Sequence, residues 1–236
     1  MLQLTTSEAV TLVRKNLDEL DPNGSIMYDD ENGSADEYGD NMSLDDIIRR
    51  NLPEAINAVH RAAPVVLLEG VEHTFTDTDK VSITEDGVLS VALPSSSKML
   101  RLVAFQAADS HIVVTDALAE ASPEGRKQLN PYIRGRADRP RLVLLQGRIT
   151  GPVFRYYSLT DASAFMEGNN PAYADGRPAA ISQFSYVEEQ LYHSDATGYP
   201  ISRMLRQNII DQLTAMVMET YGDQRATNFH NKANAF

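Results

Sequence analysis

The hydrophobic period changes twice along this chain, and that change constrains the fold more than any other feature. Apolar residues recur at helical spacing over residues 1–64 and again over 199–222, whereas strand-like alternation dominates the residues between them. This layout predicts an α+β fold, since two helical ends can pack together while the middle forms sheets. We expect a helical bundle of residues 1–64 and 199–222, an inserted antiparallel β-rich domain over 65–198, and an extended C-terminal tail over 223–236.

The first predicted helix begins near Thr5. Thr5 and Glu8 have the spacing of a capping box, in which a threonine side chain caps the helix and a glutamate three residues later returns the bond. Pro22-Asn23-Gly24 is expected to end the helix. Four apolar residues of this segment fall on one face: Val10, Val13, Leu17 and Leu20.

The second predicted helix begins at Ser43 and continues toward Pro64. Pro53 lies within its apolar stripe, where a proline costs a helix interior about 3 kcal/mol. Because the stripe continues in phase, we predict two helical pieces joined by a kink, the second beginning near Pro53. A helix that ends at Asn51 is the alternative. The stripe consists of Leu44, Ile47, Ile48, Leu52, Ile56 and Val59.

Strand signals begin after Pro64. Glu85-Asp86-Gly87 separates two apolar runs and indicates a β-hairpin, with glycine where positive φ is needed. Ser122 is predicted to cap a short helix. Pro and Gly breaks between the runs favour an antiparallel sheet over βαβ units. The predicted strands are 80–84, 88–93, 100–105, 112–114, 141–145, 153–159 and 181–188.

The longest predicted helix closes the chain. Tyr199-Pro200 introduces it, its residues are Ile201–Tyr221, and Gly222 can adopt the left-handed conformation that ends helices. We expect its buried face to contain Ile209, Leu213, Met216 and Tyr221. Residues 223–236 are polar with isolated apolar residues, so we expect this tail to be protease-sensitive and to fold only on a partner.

Charge is distributed unevenly in this chain of net charge −12, a balance that argues against nucleic-acid binding by the whole surface. The segment from Asp18 to Asp46 contains no Lys or Arg, whereas residues 126–155 contain only one acid, Asp138. The two segments are either solvated surfaces of opposite sign or complementary faces that meet within a subunit or between subunits. The basic patch consists of Arg126, Lys127, Arg134, Arg136, Arg139 and Arg141, with Arg148 and Arg155 further along.

Recognised catalytic motifs are absent from the sequence. The chain has no cysteine, no phosphate-binding glycine motif and no Gly-x-Ser-x-Gly elbow, and its histidines are far apart. We therefore expect no enzyme activity and no cofactor. One weaker alternative is a divalent-cation site, as in a metal hydrolase, at Glu72, His73, Asp77 and Asp79.

The order of these parts resembles the head–tail connector, or adaptor, proteins of tailed bacteriophages, particularly those of short-tailed and crAss-like phages. Three parts carry the likeness. They are the proline-containing helix Leu44–His60, the run Leu100–Gln106 with its continuation through Ser122–Asn130 to Arg139–Leu145, and the closing helix Ile201–Tyr221 with its tail.

The resemblance implies a structural virion protein, assembled in the host cytoplasm and located at the head–tail connector. Such adaptors form homo-oligomeric rings, typically dodecamers, which dock under the portal protein, contact other tail proteins and let DNA pass without specific binding. No membrane partner is implied. The C-terminal tail would dock into the portal, with Phe229 and Phe236 as apolar anchors and Arg225 and Lys232 as charge contacts.

A second function is compatible with the same sequence. Residues 126–155 combine cationic side chains with Tyr132, Phe154, Tyr156 and Tyr157, a combination typical of nucleic-acid surfaces. Against this, Phe154, Tyr156 and Tyr157 lie in a predicted strand, where at least one face must pack in a core. The alternative is therefore a nucleic-acid-binding or interaction module that uses this Arg-rich stretch.

Overall fold

The computed structural model of the protein describes residues 1–18, 44–145 and 151–236. It confirms the predicted α+β class, with a long helix near the C-terminus. The helices are α1 Thr6–Asp18, α2 Leu44–Ala62, α3 Pro123–Lys127, α4 Arg206–Thr220 and α5 Ala226–Ala233. The strands are β1 Leu2–Thr5, β2 Val71–Glu72, β3 Lys80–Ile83, β4 Val88–Ala92, β5 Met99–Ala107, β6 Leu118–Ala119, β7 Arg141–Leu145, β8 Val153–Tyr157, β9 Met166–Glu167, β10 Asn170–Pro171, β11 Tyr173–Ala174, β12 Arg177–Pro178, β13 Ile181–Glu188 and β14 Gly198–Ile201.

The chain divides into two compact units. The helical unit comprises Met1–Glu69 and Glu189–Phe236, and the β unit comprises Gly70–Glu188. Both ends of the chain therefore contribute to the helical unit, and the β unit is inserted between them. The predicted boundaries, after residue 64 and before residue 199, lie five residues before the first of these and ten residues after the second. The acidic residues from Glu19 to Asp40, together with Leu20, Pro22, Ser43 and Arg148, lie outside the described residues.

Three helices, α1, α2 and α4, pack together in the helical unit. Val10, Val13 and Leu17 of α1 are buried, as their spacing predicted. The Glu8 N–H donates to Thr5 Oγ1 at 3.1 Å, which confirms Thr5 as the helix cap. The Glu8 carboxylate binds Arg206 of α4 instead of returning to the cap. The prediction is therefore correct for Thr5, which caps α1, but the Glu8 side chain forms an ion pair between α1 and α4 instead of completing the capping box.

Helix α2 continues without a break from Leu44 to Ala62, so the two predicted pieces form one helix and the alternative, a helix that ends at Asn51, is wrong. Pro53 lies inside the helix and is buried. Its missing N–H leaves the Arg49 carbonyl without the helical hydrogen bond that residue 53 would otherwise donate. Leu52 and Ile56 are fully buried beside the proline, and each contributes about 1.5–3 kcal/mol, which offsets a cost of about 3 kcal/mol.

Helix α4 begins later than predicted. Gly198–Ile201 forms strand β14, which pairs antiparallel with β1, and α4 starts at Arg206 after a short 3-10 turn. A Cβ atom at Gly198 would lie 2.9 Å from the Leu4 carbonyl oxygen, so glycine is needed for this close approach. This pairing joins the segment before α1 to the segment before α4 within the helical unit.

The predicted buried face of α4 is correct only in part. Ile209 and Leu213 are buried and Met216 is half-buried, but Tyr221 is exposed. Helix α4 contacts α1, α2 and α5, so more than one of its faces is buried. Ile210, for example, is buried although it does not lie on the predicted face. The helix ends as predicted, with Gly222 at a φ of 71° and the Asp223 N–H donating to the Met218 carbonyl at 2.9 Å.

The extended C-terminal tail was predicted wrongly, because most of it forms helix α5. Ala226, Phe229 and Ala233 lie on the buried face of α5, which packs on α4. Asn208 of α4 donates to the Ala233 carbonyl at 2.9 Å, so the end of α5 is also hydrogen-bonded. The three apolar residues have too little area to fold alone, but α4 supplies the surface that covers them.

The β unit contains two larger sheets. The five-stranded sheet has the order β3-β4-β8-β7-β6, and the three-stranded sheet has the order β2-β13-β5. All these pairs are antiparallel except β6–β7. Side chains from both sheets meet in one core, which includes Leu89, Phe105, Phe154, Tyr156 and Phe184. The β-hairpin is confirmed, with Gly87 at a φ of 71° between β3 and β4.

One predicted strand is not formed. Residues 112–114 make a single bridge, from Val114 to Phe105, and belong to no named strand. Ile112 and Val113 are exposed, and of this run only Val114 packs against the core of the β unit. The runs at 141–145 and 181–188 match β7 and β13, while 100–105 and 153–159 lie within one or two residues of β5 and β8 at each end.

Candidate interaction surface

A groove in the β unit brings together most of the predicted basic patch. Its volume is about 410 Å³, and five cationic and two acidic side chains line it. We call it the basic groove. Arg126 lies beside it, on α3, with an exposed side chain. The lining residues are Glu124, Lys127, Gln128, Tyr132, Ile133, Arg134, Gly135, Arg136, Asp138, Arg139 and Arg141.

Helix α3 forms one side of the groove, and its position depends on two residues. The Gly125 N–H donates to Ser122 Oγ at 3.0 Å, which confirms Ser122 as the cap. Gly125 is buried, and a Cβ atom there would lie 2.1 Å from the Ala119 carbonyl oxygen. The helix therefore packs against β6 at a distance that only glycine allows.

Gln128 joins α3 to the loop that follows it. Its side chain is buried, its Nε2 donates to the Glu124 carbonyl at 3.1 Å, and its Oε1 accepts the Gly135 N–H at 2.7 Å. A buried amide with both ends hydrogen-bonded restricts the loop to one conformation. Gln128 could not be identified from the sequence, because a single glutamine after a short helix belongs to no recognisable pattern.

Arg136 and Arg139 are held side by side by a tight turn. The Arg139 N–H donates to the Arg136 carbonyl at 2.9 Å, and the Arg136 N–H donates to the Arg139 carbonyl at 3.2 Å. At Gly135, a Cβ atom would lie 2.9 Å from the Arg141 backbone nitrogen and 3.1 Å from the Tyr157 carbonyl oxygen. The loop therefore runs directly along the ends of β7 and β8.

The electrostatic field of the groove is positive. Lys127 Nζ lies 2.6 Å from Glu124 Oε1. The hydrogen bond to Lys127 and its charge, followed by the charges of Arg141 and Arg139, hold the pKa of Glu124 below its ordinary value. Within the described ranges, no carboxylate forms an ion pair with the guanidinium groups of Arg139 and Arg141. These two groups are therefore available to an anionic partner.

Two apolar side chains line the groove with these cations. Tyr132 is 84% exposed and Ile133 is more than half exposed, as is Leu129, which follows Gln128 in the chain. Exposed apolar residues next to arginines are typical of protein interfaces. In contrast, Phe154 and Tyr156 are fully buried in the core of the β unit. Leu129 and Ile133 were missed from the sequence, because they lie in a loop and follow neither helical nor strand periodicity.

The predicted portal-docking residues are mostly engaged within the helical unit. Arg225 forms an ion pair with Asp223, Phe229 is buried against α4, and Lys232 Nζ lies 4.6 Å from the centre of the Phe229 ring. Phe236 is 45% exposed. The prediction that Phe229 is an exposed anchor in a free tail is wrong, because α4 provides an apolar surface within the same chain.

The candidate cation site contains a buried pair of residues instead of a ligand cluster. His73 Nε2 lies 3.2 Å from Asp79 Oδ1, and Asp79 Oδ2 accepts the Thr76 N–H at 2.7 Å. Glu72 pairs with Arg177, and Asp77 is exposed. Among the described residues, no group of three or more His, Asp or Glu side chains has the arrangement of a metal site.

Comparisons with known proteins give no further constraint. The sequence matches no model of a protein family, and it matches no curated protein. None of the helices in the part of the chain that the structure describes is long and apolar enough to cross a membrane.

Proposed function

We propose that this protein is a structural virion protein that forms a ring in the head-to-tail connector of a tailed bacteriophage. It would join the portal to tail components while DNA passes through the ring. The observation that carries the proposal is the architecture, in which both chain ends build one helical unit and the β unit is inserted between them. The resemblance of three segments to phage adaptors implies this arrangement.

A homo-oligomeric ring needs two different complementary surfaces on each subunit, because its contacts are head-to-tail. The β unit offers the basic groove with its exposed apolar neighbours. The helical unit also has exposed apolar residues around Glu69, namely Met1, Val66 and Met204. The Met1 amine lies 2.7 Å from Glu69 Oε2, and the Arg203 N–H donates to Glu69 Oε1 at 3.0 Å. Such exposed apolar groups support a role in protein contacts.

Docking to the portal is proposed through a folded α5. Because Phe229 holds α5 on α4, Lys232 and Phe236 are the predicted docking residues that remain exposed. An exposed aromatic residue and a cation are common anchor groups at protein interfaces. This revises the expectation of a tail that orders only on the portal.

The proposed passage of DNA agrees with the charge of the chain. A net charge of −12 provides acids for a channel surface that repels phosphate. The proposed location is the connector of the virion, after assembly in the host cytoplasm. No cofactor, membrane or catalytic step enters the proposal.

The test is to mix the protein with the portal oligomer encoded in the same genome and to image the mixture by negative-stain electron microscopy. We expect a new ring of density under the portal. The double variant Lys232→Ala/Phe236→Ala should weaken this density, whereas Tyr173→Ala, which removes an exposed aromatic from the β unit, should leave it unchanged. A bare portal beside monomeric protein would contradict the proposal.

Nucleic-acid binding is the second candidate function, and the collection of cations in one groove favours it. It predicts DNA binding that falls steeply between about 50 and 200 mM salt. Replacing Arg134, Arg136 and Arg139 together should abolish that binding. The burial of Phe154, Tyr156 and Tyr157 weakens this candidate, since only Tyr132 remains as an exposed aromatic for base stacking in residues 126–145 and 151–157.

A further inference from the structure

We infer that the basic groove binds the acidic segment 19–43 of a neighbouring copy of this chain and thereby forms the subunit contact of the ring. This inference rests on the proposed function and names the surfaces that would join its subunits. The partner is thus a second copy, recognised through a stretch of carboxylates with adjacent apolar side chains.

Charge complementarity is the first argument for this partner. Five cationic side chains line the groove, and those of Arg139 and Arg141 have no ion-paired carboxylate among the described residues. The segment 19–43 has no Lys or Arg. Its eight acids are Glu19, Asp21, Asp29, Asp30, Glu31, Asp36, Glu37 and Asp40. Opposite charges at this density favour association and select the partner.

The order of residues in the segment provides the second argument. Ile26-Met27-Tyr28 immediately precedes Asp29-Asp30-Glu31. The groove has the matching composition, since exposed Tyr132 and Ile133 line it together with the arginines. An apolar triplet followed by an acidic triplet can therefore place apolar groups on the exposed apolar residues and carboxylates on the guanidinium groups. Arginine is well suited to this, because it binds carboxylates through two parallel hydrogen bonds.

The length of the segment provides the third argument. It leaves the helical unit after Asp18 and returns at Leu44. A chain of this length that runs out and back can reach at most roughly 40 Å from its ends, at about 3.3–3.6 Å per residue. That distance is comparable with the diameter of a folded protein of this size, so the segment is long enough to reach an adjacent subunit.

Two charge-reversed variants test the contact in the full-length protein. The groove variant carries Arg134→Glu, Arg136→Glu and Arg139→Glu, and the segment variant carries Asp29→Lys, Asp30→Lys and Glu31→Lys. Ring assembly on the portal oligomer is measured by electron microscopy and co-sedimentation. We expect each variant alone to assemble roughly 10- to 100-fold less than wild type, because three charge pairs become repulsive.

An equimolar mixture of the two variants should restore assembly, since the reversed segment of one then faces the reversed groove of the other. This rescue cannot come from misfolded protein, and it cannot come from a contact within one chain. A matched control carries Arg50→Glu, Lys80→Glu and Lys98→Glu, three exposed cations outside the groove, and should assemble like wild type. The milder pair Arg126→Glu/Arg139→Glu serves as a second groove variant.

The outcomes separate this inference from the proposed function. If wild type does not assemble on the portal, the proposed function fails. If wild type and the groove variant assemble equally well, the inference is overturned while the connector function stands. If both variants fail and their mixture also fails, the groove and the segment of neighbouring copies do not meet. Assembly of the groove variant together with loss of salt-sensitive DNA binding would assign the groove to nucleic acid instead.

Discussion

Replacing Phe229 by alanine is expected to release α5 from α4 while the rest of the helical unit stays folded. Phe229 is only 6% exposed and is the one large apolar residue on the buried face of α5, beside Ala226 and Ala233. An isolated helix of eight residues is unstable in water, so docking on α4 maintains it. The energy of that docking therefore depends mainly on one side chain.

The size of the effect follows from what the phenylalanine buries. Burial of a phenylalanine side chain contributes about 1.5–3 kcal/mol, and the nearby Lys232 ammonium adds about 0.5–1 kcal/mol through its position over the ring. We expect a loss of about 3 kcal/mol. Since about 1.4 kcal/mol corresponds to a factor of ten, the undocked population should rise roughly 100-fold.

Hydrogen exchange measured by mass spectrometry reports this directly. Amides of residues 226–235 should exchange about 100-fold faster in Phe229→Ala, with protection elsewhere in the helical unit retained. Limited proteolysis should then cut the variant within residues 223–236. The control is Phe236→Ala, which removes an exposed phenylalanine of the same segment and should leave exchange unchanged. Wild-type amides of α5 that already exchange at the rate of an unfolded peptide would refute the docking of this helix.

Three further predictions concern single side chains. Asp79→Ala should lower the free energy of unfolding of the β unit by about 2–4 kcal/mol in urea titrations. The reason is that it removes a buried carboxylate that accepts two hydrogen bonds from Thr76. As a control, Asp77→Ala at an exposed position should change this free energy by less than about 0.5 kcal/mol. Burial raises the pKa of Asp211, so the stability associated with its protonated form is complete at low pH and is lost as the pH rises through the raised pKa. Asp211→Asn should therefore have a higher Tm than wild type at pH 7, and the difference should vanish below pH about 4; an equal Tm at both pH values would contradict the assignment. Gly135→Ala should distort the basic groove, since its Cβ would lie 2.9 Å from a backbone nitrogen, and reduced ring assembly at an unchanged Tm of the helical unit is the result to look for.

Local signals in the sequence were reliable where a few adjacent residues decide the backbone. Thr5 and Ser122 cap their helices, and Gly87 and Gly222 adopt positive φ where a hairpin and a helix end require it. Strands β7 and β13 also have the predicted limits. The two helix caps and the two glycine conformations depend on contacts within about four residues, so the local sequence contains the information they need.

Long-range contacts account for the errors. Helix α5 was predicted as an extended tail, because its own residues do not show that the preceding helix α4 packs against Phe229. Similarly, β14 was assigned to a helix, although its pairing with β1 joins residues almost 200 positions apart. Pro53 remains inside a continuous helix because buried neighbours offset its cost. In each case the deciding contacts, whether side-chain packing or strand pairing, are ones that hydrophobic periodicity does not describe.

The candidate surface shows the same division. Its positive charge and the identity of six cations could be read from residues 126–141, because charge is a property of composition. The groove itself depends on Gln128 and Gly135, whose contacts bring α3, the loop and the ends of β7 and β8 together. The burial of Phe154 and Tyr156 and the exposure of Tyr132 and Ile133 are also determined by the residues that surround them in the folded protein. The sequence thus specified the fold class, the helix caps and the sign of the charge, whereas packing between distant segments determined which apolar residues are covered and which cations share one groove.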